Sequence, residues 1–125
     1  MTDYLTVIEV LAIHADQVER YGGSDGVRDP GLLEAALFRP QTGYYGDLIE
    51  EAAALWESLA QNHPFIDGNK RTAFAVTYTF LAINGTQITA DADATYRFII
   101  GLYEAGTFEF SLLAAWLRAN SATED

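Results

Sequence analysis

Residues 69–83 place Phe74, Val76, Tyr78, Phe80, Leu81 and Ile83 around most of a helical circumference. A helix apolar on nearly every side is stable only when other elements cover it. The segment therefore predicts a buried central helix with the rest of the chain packed around it. Its ends are marked by Gly68 before it and by Asn84-Gly85 after it.

The remaining patterning supplies the elements to do the covering. Residues 5–20 carry Val7, Val10, Leu11 and Val18 at helical spacing, with His14 on the same stripe, and Gly22-Gly23 stops the run. Asp29-Pro30 reads as an N-cap followed by proline at the first helical position, opening a short helix through Phe38 that Pro40 closes. From Asp47 onward, Ile49, Ala52, Trp56, Leu59 and His63 recur at steps of three and four. That stripe predicts a third helix carrying His63 to its C-terminal edge, on the side facing the core. After a cap region at Asp91–Asp93, helical patterning returns over 94–105 and 109–119. No alternation runs long enough for a sheet, and 86–90 supplies at most one short extended piece. The expectation is an all-α fold: a single compact domain over residues 1–125, with about six helices around the central one. The loop at 41–46, with Gly43, Gly46 and the pair Tyr44-Tyr45, reads either as a contact surface or as a tether tucked over the core.

Composition narrows the function classes. Half of the 125 residues are hydrophobic, which excludes a disordered chain. No apolar run has the length of a membrane span and no basic, then greasy, leader opens the chain, so a soluble cytoplasmic protein is expected. The absence of cysteine removes disulfides and thiolate metal sites. A formal net charge of −11 repels phosphate backbones and disfavours direct nucleic-acid binding, while a basic partner protein is readily accommodated.

Against that acidic background stands Lys70, the only lysine, inside His63-Pro64-Phe65-Ile66-Asp67-Gly68-Asn69-Lys70-Arg71. A loop feeding a helix N-terminus offers unpaired backbone N–H groups and the positive end of the macrodipole, which together bind anions. First turns ordinarily carry acidic residues; here Lys70 and Arg71 oppose the dipole, an arrangement that makes sense if a polyanion such as a nucleoside triphosphate meets both. Gly68 permits close backbone approach and a positive φ. Asp67 is a hard oxygen ligand suited to Mg²⁺ on phosphates. Asn69 can donate to a phosphate oxygen, and His63 can take the proton of an attacking hydroxyl. Phe65 is most simply a plug pinning the loop to the core. Each residue alone has a plainer reading: His63 as a structural histidine, Asp67 as a helix cap, Lys70 and Arg71 as surface ion-pair partners. Their conjunction within nine residues favours the chemical one. His14 reads as a satisfied core or interface histidine. Walker-type loops, a dinucleotide glycine pattern and His-Glu-x-x-His are all missing, and two histidines in such different contexts exclude a histidine-held metal.

The nine-residue run resembles the signature of the Fic/Doc superfamily, His-Pro-Phe-x-Asp/Glu-Gly-Asn-Gly/Lys-Arg. The likeness to the death-on-curing (Doc) branch extends to Ile13-His14, Tyr21-Gly22-Gly23, Gly26-Val27-Arg28-Asp29, Leu32-Leu33-Glu34, Arg39-Pro40 and Asn84-Gly85. The resemblance implies a catalytic base at His63, an Mg²⁺ ligand at Asp67, a phosphate-holding loop at Gly68, Asn69 and Lys70, and a phosphate-pairing arginine at Arg71. AMP-transferring Fic enzymes have glycine at the position of Lys70 and a second arginine at the position of Phe74; both departures are Doc-like. The implied protein is a toxin kinase that uses ATP and Mg²⁺ to phosphorylate a threonine of elongation factor Tu or a related translation factor. Its partner would be a Phd-type antitoxin whose C-terminal segment folds into a groove on the toxin. An internal Ser/Thr-x-x-x-Glu-Gly/Asn inhibitory motif is missing from the sequence, in keeping with control by a separate chain, and the 41–46 loop falls where the family's substrate-docking flap would be. An AMP-transferring enzyme and a non-catalytic antitoxin-binding module are the alternatives.

Overall fold

The structure, a computed structural model, describes residues 1–124. Six α-helices build it: α1 (Val7–Tyr21), α2 (Pro30–Phe38), α3 (Leu48–Asn62), α4 (Asn69–Ile83), α5 (Ala92–Ala105) and α6 (Phe110–Ala119). A 3-10 turn, Arg39–Gln41, continues α2 through Pro40. Two short strands, β1 (Thr86–Ile88) and β2 (Ser121–Thr123), pair antiparallel with Thr86 opposite Thr123. The extended piece expected after α4 is therefore real, and its partner near the C-terminus is what the sequence pattern did not show.

Side-chain caps start most of the helices. Thr6 and Glu9 form a reciprocal capping box on α1, Asp29 accepts from the Leu32 N–H at α2, and Asp47 and Asp91 do the same for α3 and α5. Asp47 also receives a hydrogen bond from Arg118 of α6 at 2.9 Å. This bond to Arg118, then the Glu50 N–H, holds the Asp47 carboxyl below its ordinary range.

Two helices share the centre. α3 buries a nearly continuous run from Ala52 to Ala60, and its alanines let α2, α4 and α6 approach closely. Trp56, fully buried, gathers the rings of Phe74, Phe98, Phe108 and Trp116 at centroid distances of 5.5–6.3 Å. α4 buries Thr72, Ala73, Val76, Thr77, Phe80 and Leu81 against this core. Its remaining face is not covered: Tyr78 and Ile83 are 42% and 44% exposed. With Phe74, Ile88, Tyr96 and Ile99, Tyr78 lines an apolar groove of about 690 Å³. The all-round apolar pattern thus has two causes, a core face and a groove face. The loop at 41–46 divides in the same way. Tyr45 is tied down by Arg39 Nε donating to its hydroxyl at 2.7 Å and by Phe110, whereas Tyr44 is exposed.

Candidate active site

Segment 63–68 is held along a second chain segment, 22–29. Arg28 N–H and Asp29 N–H both donate to Pro64 O, Ile66 N–H donates to Gly26 O, and Val27 bridges to Phe65. Phe65 is buried and its ring stacks on His14 at 3.9 Å, nearly parallel. His14 Nε2 donates to the Asp67 carbonyl at 2.8 Å, which fixes the proton on that nitrogen because a carbonyl only accepts. The expected satisfied core histidine is therefore a brace for the loop.

The two ends of this loop adopt left-handed backbone. Gly68, the N-cap of α4, has φ 75° and ψ 20° and supplies no side-chain cap. The first-turn N–H groups of Asn69, Lys70 and Arg71 are consequently left open toward a ligand. His63, at the end of α3, has φ 48° and ψ 57° and is the one non-glycine residue with positive φ among the described residues. Sequence spacing placed His63 on the core-facing stripe. The left-handed turn rotates it off that stripe, and His63 is exposed.

Asp67 is exposed, with its carboxylate engaged by two backbone donors. Gly68 N–H reaches Oδ1 at 2.8 Å and Ser24 N–H reaches Oδ2 at 3.2 Å. Those bonds, in that order, hold its carboxyl below the ordinary range, aided by the charge of Arg71. Asn69 is largely occupied: Oδ1 accepts from Phe65 N–H and Nδ2 donates to Phe65 O, leaving one amide hydrogen and its own backbone N–H for a ligand. Arg71 donates to the carbonyl of Tyr21, the last residue of α1, and to that of Gly22, which caps it, while its Nε is buried with no partner. Lys70 places Nζ 4.3 Å from the centroid of the Tyr103 ring. Tyr103 in turn stacks on Phe108, and burial pushes its hydroxyl up to about 12.

One cleft of about 530 Å³ is lined by His63, Asp67, Gly68, Asn69, Lys70 and Arg71, together with Tyr21, Gly22, Gly23 and Ile66. All six residues singled out from the sequence share it. The apolar groove adjoins this cleft, and Tyr21, Lys70 and Arg71 line both. The distribution of cations is equally selective. Arg20, Arg39, Arg97 and Arg118 each pair with a carboxylate. Among the described residues Arg28, Lys70 and Arg71 do not, and all three lie in or beside the 63–71 segment. Of these three, Lys70 and Arg71 line the cleft, and Arg28 donates to the carbonyls of Asn62 and His63 outside it.

For a divalent cation the fit is partial in an informative way. The described residues hold no cluster of three His, Cys, Asp or Glu groups. One ionised, exposed carboxylate is what Mg²⁺ needs from a protein when phosphates supply most of the coordination.

A model of the Fic/DOC family matches residues 4–81. The chain belongs to the Fic/DOC family. Two proteins place it in the Doc branch. One, named Toxin Doc, from Mycolicibacterium smegmatis, is 51% identical over 98 residues, covering 74% of this chain and 73% of that protein. The other, named Protein kinase doc, from Escherichia phage P1, is 39% identical over 84 residues, covering 64% of this chain and 67% of that protein.

Several site residues carry no obvious chemical signal in sequence. Gly22-Gly23 reads as a helix stop, yet Gly23 packs so tightly that a Cβ there would meet Asp67 Oδ2 at 2.7 Å. Three glycines in five residues, 22 to 26, all with positive φ, are the trace that this segment leaves. Arg28 and Tyr103 act through backbone carbonyls and a ring face, neither of which leaves a pattern in the sequence.

Proposed function

We propose that this Doc-branch protein is the toxin of a toxin–antitoxin module and that it transfers the γ-phosphoryl group of ATP to a protein hydroxyl. The target proposed is a threonine of elongation factor Tu or a related translation factor, so that translation stops. The observation carrying this reading is the single cleft in which His63, Asp67, an uncapped helix N-terminus and two cations free of carboxylates meet. The kinase named among its relatives supports it.

In this mechanism Asp67, whose lowered pKa keeps it ionised, is the residue that would hold Mg²⁺. The ion's contribution when bound is to neutralise charge on the phosphates. Lys70, Arg71 and the first-turn N–H groups position phosphate oxygens, and the open hydrogen of Asn69 adds a neutral donor. His63, exposed at the cleft, removes the proton from the incoming hydroxyl. Most of the rate advantage comes from positioning and fixed charge, because phosphoryl transfer asks for little covalent help.

Phe74, at the position where AMP-transferring enzymes keep a second arginine, packs on Trp56 and lines the groove without entering the cleft. The second phosphate clamp is therefore absent at this position, which favours phosphate over AMP transfer. The apolar groove beside the cleft suits a Phd-type antitoxin segment, whose seating next to Lys70 and Arg71 would link capture to silencing.

Expression of the parent and of His63→Ala in a bacterial host tests the reading. The parent is expected to arrest growth and to block translation in extract, and His63→Ala to do neither. Equal arrest by both variants would refute catalysis by this site, and arrest without any loss of translation would refute the target.

A further inference from the structure

His63 holds a backbone conformation that side chains rarely adopt, and such strain persists only where the surroundings over-determine it. Those surroundings are concentrated in one dipeptide. Arg28 Nε donates to His63 O at 2.7 Å and its Nη2 donates to Asn62 O at 2.8 Å. Arg28 N–H and Asp29 N–H converge on Pro64 O at 2.8 and 3.0 Å. Three consecutive carbonyls, 62 to 64, are thereby held at the end of α3, where helix geometry leaves carbonyls unpaired and the dipole favours a cation.

The clamp is itself anchored on both sides. Asp29 caps α2, and Val27 and Gly26 pair with Phe65 and Ile66. Arg28 makes no carboxylate pair despite the acidity of the chain, and it does not line the cleft. Its planar fork spans two carbonyls at once, which a lysine ammonium does not reproduce.

We infer that Arg28 is a positioning residue for His63, fixing the left-handed turn that turns the imidazole outward into the cleft. This inference rests on the reading of His63 as the general base, and it is separable from it. Arg28→Lys keeps the charge and loses the fork; Arg28→Met loses both. The first measurement is NMR of the His63 backbone, whose shifts and HN–Hα coupling report φ directly. Both variants are expected to move His63 out of the left-handed region while the dispersed spectrum of the fold remains. Unchanged His63 signals in Arg28→Lys and Arg28→Met would overturn the inference, whether or not the parent transfers phosphate.

The second measurement is phosphate transfer. In either variant kcat falls roughly 10–100-fold, the scale of a misplaced catalytic group, with KM for Mg-ATP changed by less than about twofold. A loss expressed in KM for Mg-ATP with kcat unchanged would show that Arg28 acts on nucleotide binding independently of the imidazole and would refute positioning. A parent that transfers no phosphate refutes the proposed reaction and leaves the backbone measurement to decide the role of Arg28.

Discussion

Replacing Tyr103 tests how Lys70 is presented. The Tyr103 hydroxyl is buried without a hydrogen-bond partner, the ring stacks on Phe108 at 4.5 Å, and the Lys70 ammonium sits 4.3 Å above its centroid. An orphaned buried hydroxyl costs about 1–3 kcal/mol, so Tyr103→Phe should stabilise the fold by about 1 kcal/mol while keeping the ring face. Tyr103→Leu also removes the hydroxyl, together with the cation–π contact, about 0.5–1 kcal/mol at an accessible lysine, and the aromatic stack, about 0.5–1.5 kcal/mol. The hydroxyl cancels between the two variants, so Phe should exceed Leu by about 1–2.5 kcal/mol in urea unfolding. Titration with Mg-ATP should show parent-like affinity for Tyr103→Phe and weaker affinity for Tyr103→Leu, whose Lys70 is no longer seated. A Tyr103→Phe variant less stable than the parent by more than about 1 kcal/mol would show that the hydroxyl has a partner. Equal stability and equal nucleotide affinity in the Phe and Leu variants would refute the seat for Lys70.

Other outcomes follow from the same geometry. His14→Ala should cost about 3–5 kcal/mol in urea unfolding, since it opens a cavity under Phe65 and orphans the Asp67 carbonyl; a loss below about 1 kcal/mol would contradict its bracing role. Gly23→Ala drives a methyl into Asp67 Oδ2 and should weaken Mg-ATP binding in calorimetry far more than Gly43→Ala, where nothing lies within 4 Å of the added carbon. Because the folded-state pKa of Asp67 is depressed, its stabilising contribution is complete above the ordinary carboxylate range, near pH 4, and is lost as pH falls through the lowered value. Asp67→Asn should therefore flatten the acid limb of stability against pH, and an unchanged limb would speak against the Gly68 and Ser24 bonds.

Much of the fold could be read from local chemistry. The caps at Asp29, Asp47 and Asp91 and the stop at Asn84-Gly85 are short-range signals, and the helices begin and end close to them. The β1–β2 pairing joins segments far apart in sequence, and two three-residue strands are too short for alternation to register. The six cleft residues were legible because they lie within nine positions, so no knowledge of folding was needed to bring them together. Gly23 lines the same cleft from another segment, while Arg28 and Tyr103 touch its residues His63 and Lys70 from outside it, and only tertiary packing puts all three there. The outward turn of His63 escaped helical spacing because one left-handed residue breaks the period on which spacing depends.

Transfer of a phosphoryl group in the cleft, driven by His63, can be read directly. ATP labelled at either the α or the γ phosphate, incubated with the protein, Mg²⁺ and purified elongation factor Tu, tests it most directly. Label is expected on the factor from γ only, on a threonine, and none with His63→Ala. Label from α would assign AMP transfer instead, and no label from either position would contradict the catalytic account altogether.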